Sequence, residues 1–155
     1  MLILVANLGS TSFKYRLFRM DENGGEFVAE GGYERVTDHG SVIDDALAAL
    51  QREGVVASPD DIDAVGFKTV LGKDLSGCVI ADQKVIDALE GFAAVAPAHN
   101  PPYANGIRQF AKALPKAKLV ALFETAFYQW TSAASANYAI PKSWRDIGIR
   151  RYGFH

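Results

Sequence analysis

The sequence lacks the residues that build disulfide scaffolds, zinc centres or membrane spans. Its single cysteine, Cys78, cannot form an intrachain disulfide, which fits a reducing compartment. No Cys/His cluster has the spacing of zinc ligands. No apolar run approaches the ~20 residues that cross a bilayer, and Met1–Val5 lacks the basic flank of a signal peptide. We therefore expect a cytoplasmic protein that does not enter a membrane.

An excess of positive charge is also missing. Lys and Arg number 16 against 18 Asp and Glu, for a formal charge of −2. Because a nucleic-acid-binding surface normally needs a basic excess, we expect no nucleic-acid partner. Hydrophobic residues make up 49% and charged residues 22%, which is ordinary globular composition and argues against disorder or a coiled coil. A length of 155 residues fits one domain.

Hydrophobic patterning predicts a domain that contains both strands and helices. Leu2–Ala6 is a short apolar run before a turn, and alternation at Phe13, Tyr15 and Leu17 predicts a second strand in an antiparallel hairpin. Further strands are predicted over 27–36, 64–70 and 119–123, and helices over 42–54, 82–89, 103–114 and 129–138. Strands that then alternate with helices predict an α/β fold, a mixed sheet with helices packed on it.

Several local expectations accompany this pattern. Ser41 is predicted to cap the first helix, and the segment between Gly72 and Gly77 is predicted to be a loop. His39 is expected in a solvated loop. Trp130 and Trp144 are expected in the core.

The turn between the first two strands is the first candidate site. Ser10, Thr11 and Ser12 supply hydroxyl donors that could face phosphate oxygens together with backbone N–H groups. Asn7 and Lys14 add an amide and a cation on the same hairpin. Gly and Ser are also the residues expected in an ordinary hairpin turn, and spacing alone favours that simpler interpretation. The spacing of a P-loop is absent.

Three further segments could carry chemistry. Prolines around His99 and Asn100 would hold the imidazole in a defined pose, although a helix-entry loop explains them equally well. Glu124 directly follows a buried strand, at the sheet edge where α/β proteins bind ligands, but it could also be a helix cap or a solvated acid. The segment Arg150–His155 brings two guanidiniums and an imidazole next to a glycine, or forms a basic tail.

Taken in order, four segments resemble the signature segments of the acetate kinase (acetokinase) family. They are residues 1–14 with Asn-Leu-Gly-Ser-Thr-Ser-Phe-Lys, His-Asn-Pro-Pro from 99, Phe-Glu-Thr-Ala-Phe from 123 and Gly-Ile-Arg-Arg-Tyr-Gly-Phe-His from 148. The resemblance implies an actin-like, ribonuclease H-like domain of the acetate and sugar kinase/Hsp70/actin superfamily. It also implies that residues 1–155 are the amino-terminal domain and that the carboxyl-terminal nucleotide-binding domain is absent from this chain.

The resemblance implies a kinase that makes an acyl phosphate from ATP and a short carboxylate (acetate, propionate or butyrate). It further implies Mg²⁺ as cofactor, a cytoplasmic homodimer, and negligible activity of the 155-residue chain alone. The residues that match the family's site are Glu124, His155 and His99 as catalytic groups, Lys68, Val70 and Ala98 at the carboxylate, Lys14, Ser10 and Ser12 at the nucleotide phosphates, and Asn7 at the metal.

Three of these site positions depart from the family pattern. Lys68 stands where the family has an arginine, so the charge remains but the planar two-pronged grip on a carboxylate is lost. Glu124 stands where the family has an aspartate and is one methylene longer. Ala98, in place of a larger leucine, could widen the substrate pocket. The alternative function is therefore a catalytically degenerate relative that binds an anion or a partner without turnover.

Overall fold

The strands form one mixed sheet. The structure is a computed structural model that describes residues 1–153, and within them six strands lie in the order β3-β2-β1-β4-β6-β5. The strands are β1 Leu2–Leu8, β2 Ser12–Asp21, β3 Gly24–Glu34, β4 Ala64–Thr69, β5 Gly77–Ile80 and β6 Lys118–Phe123. Strands β1, β4 and β6 run parallel to one another, and the other neighbours are antiparallel.

Helices connect the strands. They are α1 His39–Arg52, α2 Gln83–Gly91, α3 Asn100–Ala113, α4 Ala133–Ala136 and α5 Lys142–Asp146, with 3₁₀ helices at Pro59–Asp61 and Glu124–Tyr128. The mixed sheet with flanking helices confirms the α/β class predicted from the sequence. No helix within residues 1–153 is both long and apolar enough to span a membrane.

The core lies on one face of the sheet because the strands alternate. In β1, Leu4, Ala6 and Leu8 are buried, whereas Val5 and Asn7 between them are exposed. Helices α1 and α3 contact each other and bury apolar stripes in the same cluster as these strand residues. The stripes are Ile43, Ala46, Leu47 and Leu50 on α1, and Tyr103, Ala104, Ile107 and Phe110 on α3.

The opposite face of β2 and β3 carries charge. Arg16 lies directly across from Glu30 and forms an ion pair with it, with Nε 2.9 Å from Oε2. Arg19 and Glu26 repeat this arrangement further along the same strands at 3.5 Å. Such exposed cross-strand pairs each contribute about 0–1 kcal/mol to stability, so they fix the polarity of this face more than they stabilise the fold.

One strand was missed and one predicted helix was wrong. The segment between Gly72 and Gly77 is a loop, as predicted, but it leads into β5, a four-residue edge strand that pairs antiparallel with β6. The sequence gives this strand a weak signal because it is short and begins with Gly77. The helix predicted over 129–138 is reduced to α4, four residues long. No residue of α4 is buried, so no packing energy favours a longer helix there.

Local expectations around α1 and the tryptophans were also wrong. Asp38, not Ser41, caps α1: its carboxylate accepts hydrogen bonds from the N–H groups of Gly40 and Ser41 at 2.9 and 3.4 Å. His39 is buried rather than solvated. Trp130 and Trp144 are 86% and 54% exposed, so neither is a core residue of the described chain.

Candidate functional site

Three polar side chains line up across the exposed face of the sheet. Asn7 on β1 lies directly opposite Lys14 on β2, so both side chains point to the same face. Lys68 on β4 follows Phe67, which pairs with Ala6, so Lys68 comes at the level of Asn7 on the next strand. Asn7, Lys14 and Lys68 all line one cavity of about 740 Å³. The sheet therefore brings Lys68 next to two residues of the hairpin that are more than fifty positions away in the sequence.

Lys14 has an acidic neighbour in the same cavity. Its Nζ lies 3.0 Å from Glu34 Oε1 on β3, and both side chains are about two-thirds exposed. A pair this exposed contributes about 0–1 kcal/mol. An anion with several oxygens can therefore replace Glu34 as the partner of Lys14 at little cost.

The turn between β1 and β2 is held by backbone hydrogen bonds. The Gly9 N–H donates to the Ser12 carbonyl at 2.8 Å, and His39 Nε2 lies 3.0 Å from the Gly9 carbonyl. Because a carbonyl only accepts, this contact requires the proton on Nε2 of His39. A Cβ on Gly9 would lie 2.6 Å from Ser12 Oγ, so a larger residue would displace that hydroxyl. Ser10 is exposed at the tip, and neither serine lines the cavity.

Glu124 joins the row through Lys68. It begins the 3₁₀ helix that follows β6, and its Oε1 lies 3.0 Å from Lys68 Nζ. Adjacent parallel strands bring the two residues together, since Thr69 on β4 pairs with Phe123 on β6. The other oxygen, Oε2, is shielded from solvent and has no hydrogen-bond partner among residues 1–153. That oxygen is available for a donor or a cation that a ligand would bring.

Tyr103 donates a hydrogen bond to Asn7 and is near enough to Glu124 to be affected by its charge. Its hydroxyl, on a ring that is 3% exposed, donates to Asn7 Oδ1 at 3.0 Å. Burial raises the pKa of Tyr103 to about 12; a backbone hydrogen bond at Leu8 opposes the rise, and the negative charge of Glu124 adds to it. The phenol is therefore a permanent donor at neutral pH. It fixes the Asn7 amide while leaving one lone pair of Oδ1 free.

The segment 96–99 leads into the N-terminus of α3. His99 and Ala98 are exposed, and neither lines the cavity of Asn7. The His99 carbonyl accepts from the Tyr103 N–H at 3.3 Å, so the imidazole lies one helical turn before the Tyr103 ring. Pro101 and Pro102 occupy the first turn of α3, as the helix-entry interpretation predicts.

Asn100 is fully buried and ties three elements together. Its Nδ2 donates to the carbonyls of Leu71 and Leu89 at 2.8 and 3.1 Å. Leu71 follows Val70, the buried residue that comes directly after β4. Asn100 therefore fixes the backbone beside Val70 against α2.

The structure gathers some of the predicted residues and leaves others apart. Asn7, Lys14, Lys68 and Glu124 form one connected group. Ser10, Ser12, Val70, Ala98 and His99 lie in the neighbouring segments with no described contact to that group. His155 lies outside the described residues.

Sequence reasoning missed three residues of this region. They are Tyr103, Glu34 and His39. The only sequence signal for Tyr103 is its place at the start of the helix predicted over 103–114, directly after the segment that begins at His99. Glu34 carries no such signal, since its proximity to Lys14 depends on the register of β2 and β3.

The donor atoms suit a magnesium ion that phosphates help to hold. Asn7 Oδ1 and the unpartnered Oε2 of Glu124 are the oxygen ligands that Mg²⁺ prefers. Within residues 1–153, no three His, Cys, Asp or Glu side chains come close enough to hold a metal. Protein oxygens alone would therefore not complete the coordination, and Mg²⁺ commonly takes its remaining ligands from phosphates and water.

Comparison with known proteins identifies the fold and the family. A solved structure of acetate kinase from Porphyromonas gingivalis superposes with a TM-score of 0.87 at 31% identity, over 99% of this chain and 45% of that one. The propionate kinase structure from Francisella tularensis gives a TM-score of 0.82 at 26% identity, over 99% of this chain and 45% of that one. The sheet and its helices are thus an actin-like ATPase fold, as the sequence predicted.

The sequence model of the acetokinase family matches residues 2–155. The acetate kinase of Mesoplasma florum is 37% identical to this chain in an alignment 177 residues long, gaps included. The alignment covers 99% of this chain and 45% of the relative. The chain belongs to the acetokinase family. It spans about half the length of the curated relatives that it matches.

Proposed function

We propose that the full-length protein is a carboxylate kinase that makes an acyl phosphate from ATP and a short-chain carboxylate. The observation that carries the proposal is the row of Lys14, Asn7 and Lys68 over one cavity, joined to Glu124 at the end of β6. Phosphoryl transfer needs cations and donors around charged oxygens, and this group supplies both.

In the proposed reaction a carboxylate oxygen attacks the γ-phosphorus of ATP. The bond from that phosphorus to the β,γ-bridging oxygen breaks, so the products are an acyl phosphate and ADP, and no net proton is transferred. Lys14 would neutralise phosphate oxygens, with hydroxyls of Ser10 and Ser12 as further donors. Bound Mg²⁺ would lower the charge of the phosphates, with Asn7 and Glu124 as its protein oxygens.

Lys68 would receive the substrate carboxylate. Its ammonium is half-exposed and paired with Glu124, so the substrate would compete with or share that partner. Val70 and Ala98 are the proposed apolar contacts for the acyl group. His99 and His155 are proposed to face the transferring phosphoryl group, and cytoplasmic localisation and homodimer assembly stay predictions.

The test is trapping of the acyl phosphate with hydroxylamine. The full-length protein, ATP and Mg²⁺ are supplied with acetate, propionate or butyrate in separate reactions. We expect a hydroxamate from at least one acid, and a fivefold or larger drop, about 1 kcal/mol, when Lys68 becomes Gln. Absence of product from all three acids with folded protein would refute the proposed function.

A second function is favoured by one observation. Lys68 and Glu124, two residues that depart from the family pattern, form an ion pair with each other, so the Lys68 ammonium is already neutralised and is less able to hold a reacting carboxylate. This suits a degenerate relative that binds an anion or a partner without turnover. The variant with both Lys68→Arg and Glu124→Asp distinguishes the two. Turnover that appears only in this double variant supports degeneration, whereas an active parent rejects it.

A further inference from the structure

A second cavity lies beside the segment that follows Glu124. It has a volume of about 380 Å³ and lies between the 3₁₀ helix Glu124–Tyr128 and the segment 150–153. No residue of the described range 1–153 lines both cavities. The polar lining of the second cavity includes Ser76, Thr125, Gln129, Thr131, Arg150 and Arg151. This volume falls in the usual range of small-molecule sites, about 300–1,000 Å³.

The cavity is positively charged. Two arginines line it, and among residues 1–153 no Asp or Glu lines it. Neither Arg150 nor Arg151 forms an ion pair with another side chain of residues 1–153. By contrast, the cations of the first cavity, Lys14, Arg16 and Lys68, are each paired with a glutamate. The second cavity therefore holds positive charge that the described chain leaves uncompensated.

Both guanidiniums are already positioned. The Cζ of Arg150 lies 4.6 Å from the centroid of the Tyr152 ring, and the Tyr152 hydroxyl donates to the Gly148 carbonyl at 2.9 Å. A guanidinium that stacks by its face keeps its in-plane N–H donors free for a ligand. Arg151 Nη1 donates to the Ser135 carbonyl at 3.0 Å, which uses one of its five donors.

We propose that this cavity binds a small polyvalent oxyanion. Phosphate or carboxylate oxygens would lie between the two guanidiniums, with the hydroxyls of Ser76, Thr125 and Thr131 as further donors. Arginine suits this ligand because its planar fork matches two oxygens at once. Asn7, Lys14, Lys68 and Glu124 do not line this cavity, and binding there does not depend on turnover at those residues.

The experiment is calorimetric titration of the full-length protein without nucleotide or Mg²⁺. Pyrophosphate and citrate are the probes, in separate titrations that distinguish phosphate from carboxylate ligands. We expect saturable binding of at least one probe and a loss of about tenfold or more in affinity for Arg150→Gln. Arg150→Lys should lose less, because the charge remains and only the fork is lost.

Matched variants locate the binding. Arg145→Gln removes an exposed arginine of α5 that does not line the cavity, and it should bind as the parent does. Lys14→Gln affects only binding in the first cavity, so it should lower the measured affinity less than Arg150→Gln does. Gln129→Glu places a carboxylate in the second cavity, so it should weaken binding about tenfold or more even if Arg150→Gln fails to fold.

Three results would overturn the proposal. They are no saturable binding of either probe, unchanged affinity in both Arg150→Gln and Gln129→Glu, and a loss in Lys14→Gln that equals the loss in Arg150→Gln. The last result would place the probe in the first cavity.

Discussion

Replacing Tyr103 with phenylalanine tests how the site is held together. The change removes only the hydroxyl that donates to Asn7 Oδ1 at 3.0 Å and leaves the buried ring in place. Because Asn7 is exposed, water can replace the lost donor, so we expect a loss of about 1 kcal/mol in the free energy of unfolding at neutral pH. The Asn7 amide would also lose its fixed orientation.

The same substitution has a pH dependence with a definite sign. Burial raises the pKa of Tyr103 from its ordinary value of 10.0 to about 12, so the folded state keeps a proton that the unfolded state releases. This contribution is fully present below pH 10 and is lost as the pH rises towards 12. Two pKa units correspond to roughly 2–3 kcal/mol, so the advantage of the parent over Tyr103→Phe should shrink and then reverse in this window.

The assay is urea unfolding of the parent and Tyr103→Phe at pH 8, 10 and 11. Tyr138→Phe serves as a control because the Tyr138 ring is 45% exposed and lies outside the site. A constant difference between the parent and Tyr103→Phe across this range would refute the burial argument. In the full-length enzyme, kcat should fall more than the KM for the carboxylate rises, since Tyr103 acts through Asn7.

Three other variants test the packing and charge around the site. Asn100→Ala should lower the free energy of unfolding in urea by about 2–4 kcal/mol, because the carbonyls of Leu71 and Leu89 lose their donor. A decrease below about 1 kcal/mol would contradict this. Glu34→Gln should lower the KM for ATP by up to about fivefold by freeing Lys14, whereas Glu26→Gln, outside the cavity, should not change it. Gly106→Ala should lower the free energy of unfolding by about 1–3 kcal/mol, because the new Cβ would overlap the buried side chain of Leu8 on β1; unchanged stability would show that Leu8 moves aside without cost.

A binding prediction concerns the chain itself. Residues 1–155 without further sequence should bind ATP weakly and show negligible kinase activity, because the family resemblance assigns the adenosine contacts to the other half of the enzyme. Calorimetry on this chain measures the affinity directly. Micromolar binding of ATP would contradict the assignment.

The strands that carry the site could be predicted because their patterns are local. Alternation in β2 and the apolar run of β1 predict the hairpin that places Asn7 opposite Lys14. Glu124 could be placed at a sheet edge because it directly follows the apolar strand β6. These features depend on neighbours in the sequence, where hydrophobic periodicity is most informative.

Contacts between distant segments could not be predicted in this way. The ion pair of Lys68 with Glu124 requires that β4 and β6 be neighbours, and nothing in either strand specifies its partner. The helix predicted over 129–138 is mostly absent, since Trp130 is 86% exposed and α4 buries no residue. Helical propensity without a buried face does not sustain a longer helix.

The central claim is that Lys14 and Glu124 act on the same phosphoryl group, and a double-variant cycle on kcat/KM tests it most directly. Lys14→Gln and Glu124→Gln are each expected to lower kcat/KM by about 10²–10³ in the full-length enzyme. The account predicts that the double variant loses less than the product of the single losses, with a coupling energy of about 1 kcal/mol or more. If the free-energy losses of the two single variants add up to the loss of the double variant within about 0.3–0.5 kcal/mol, the two residues act independently, and that result would contradict a shared site.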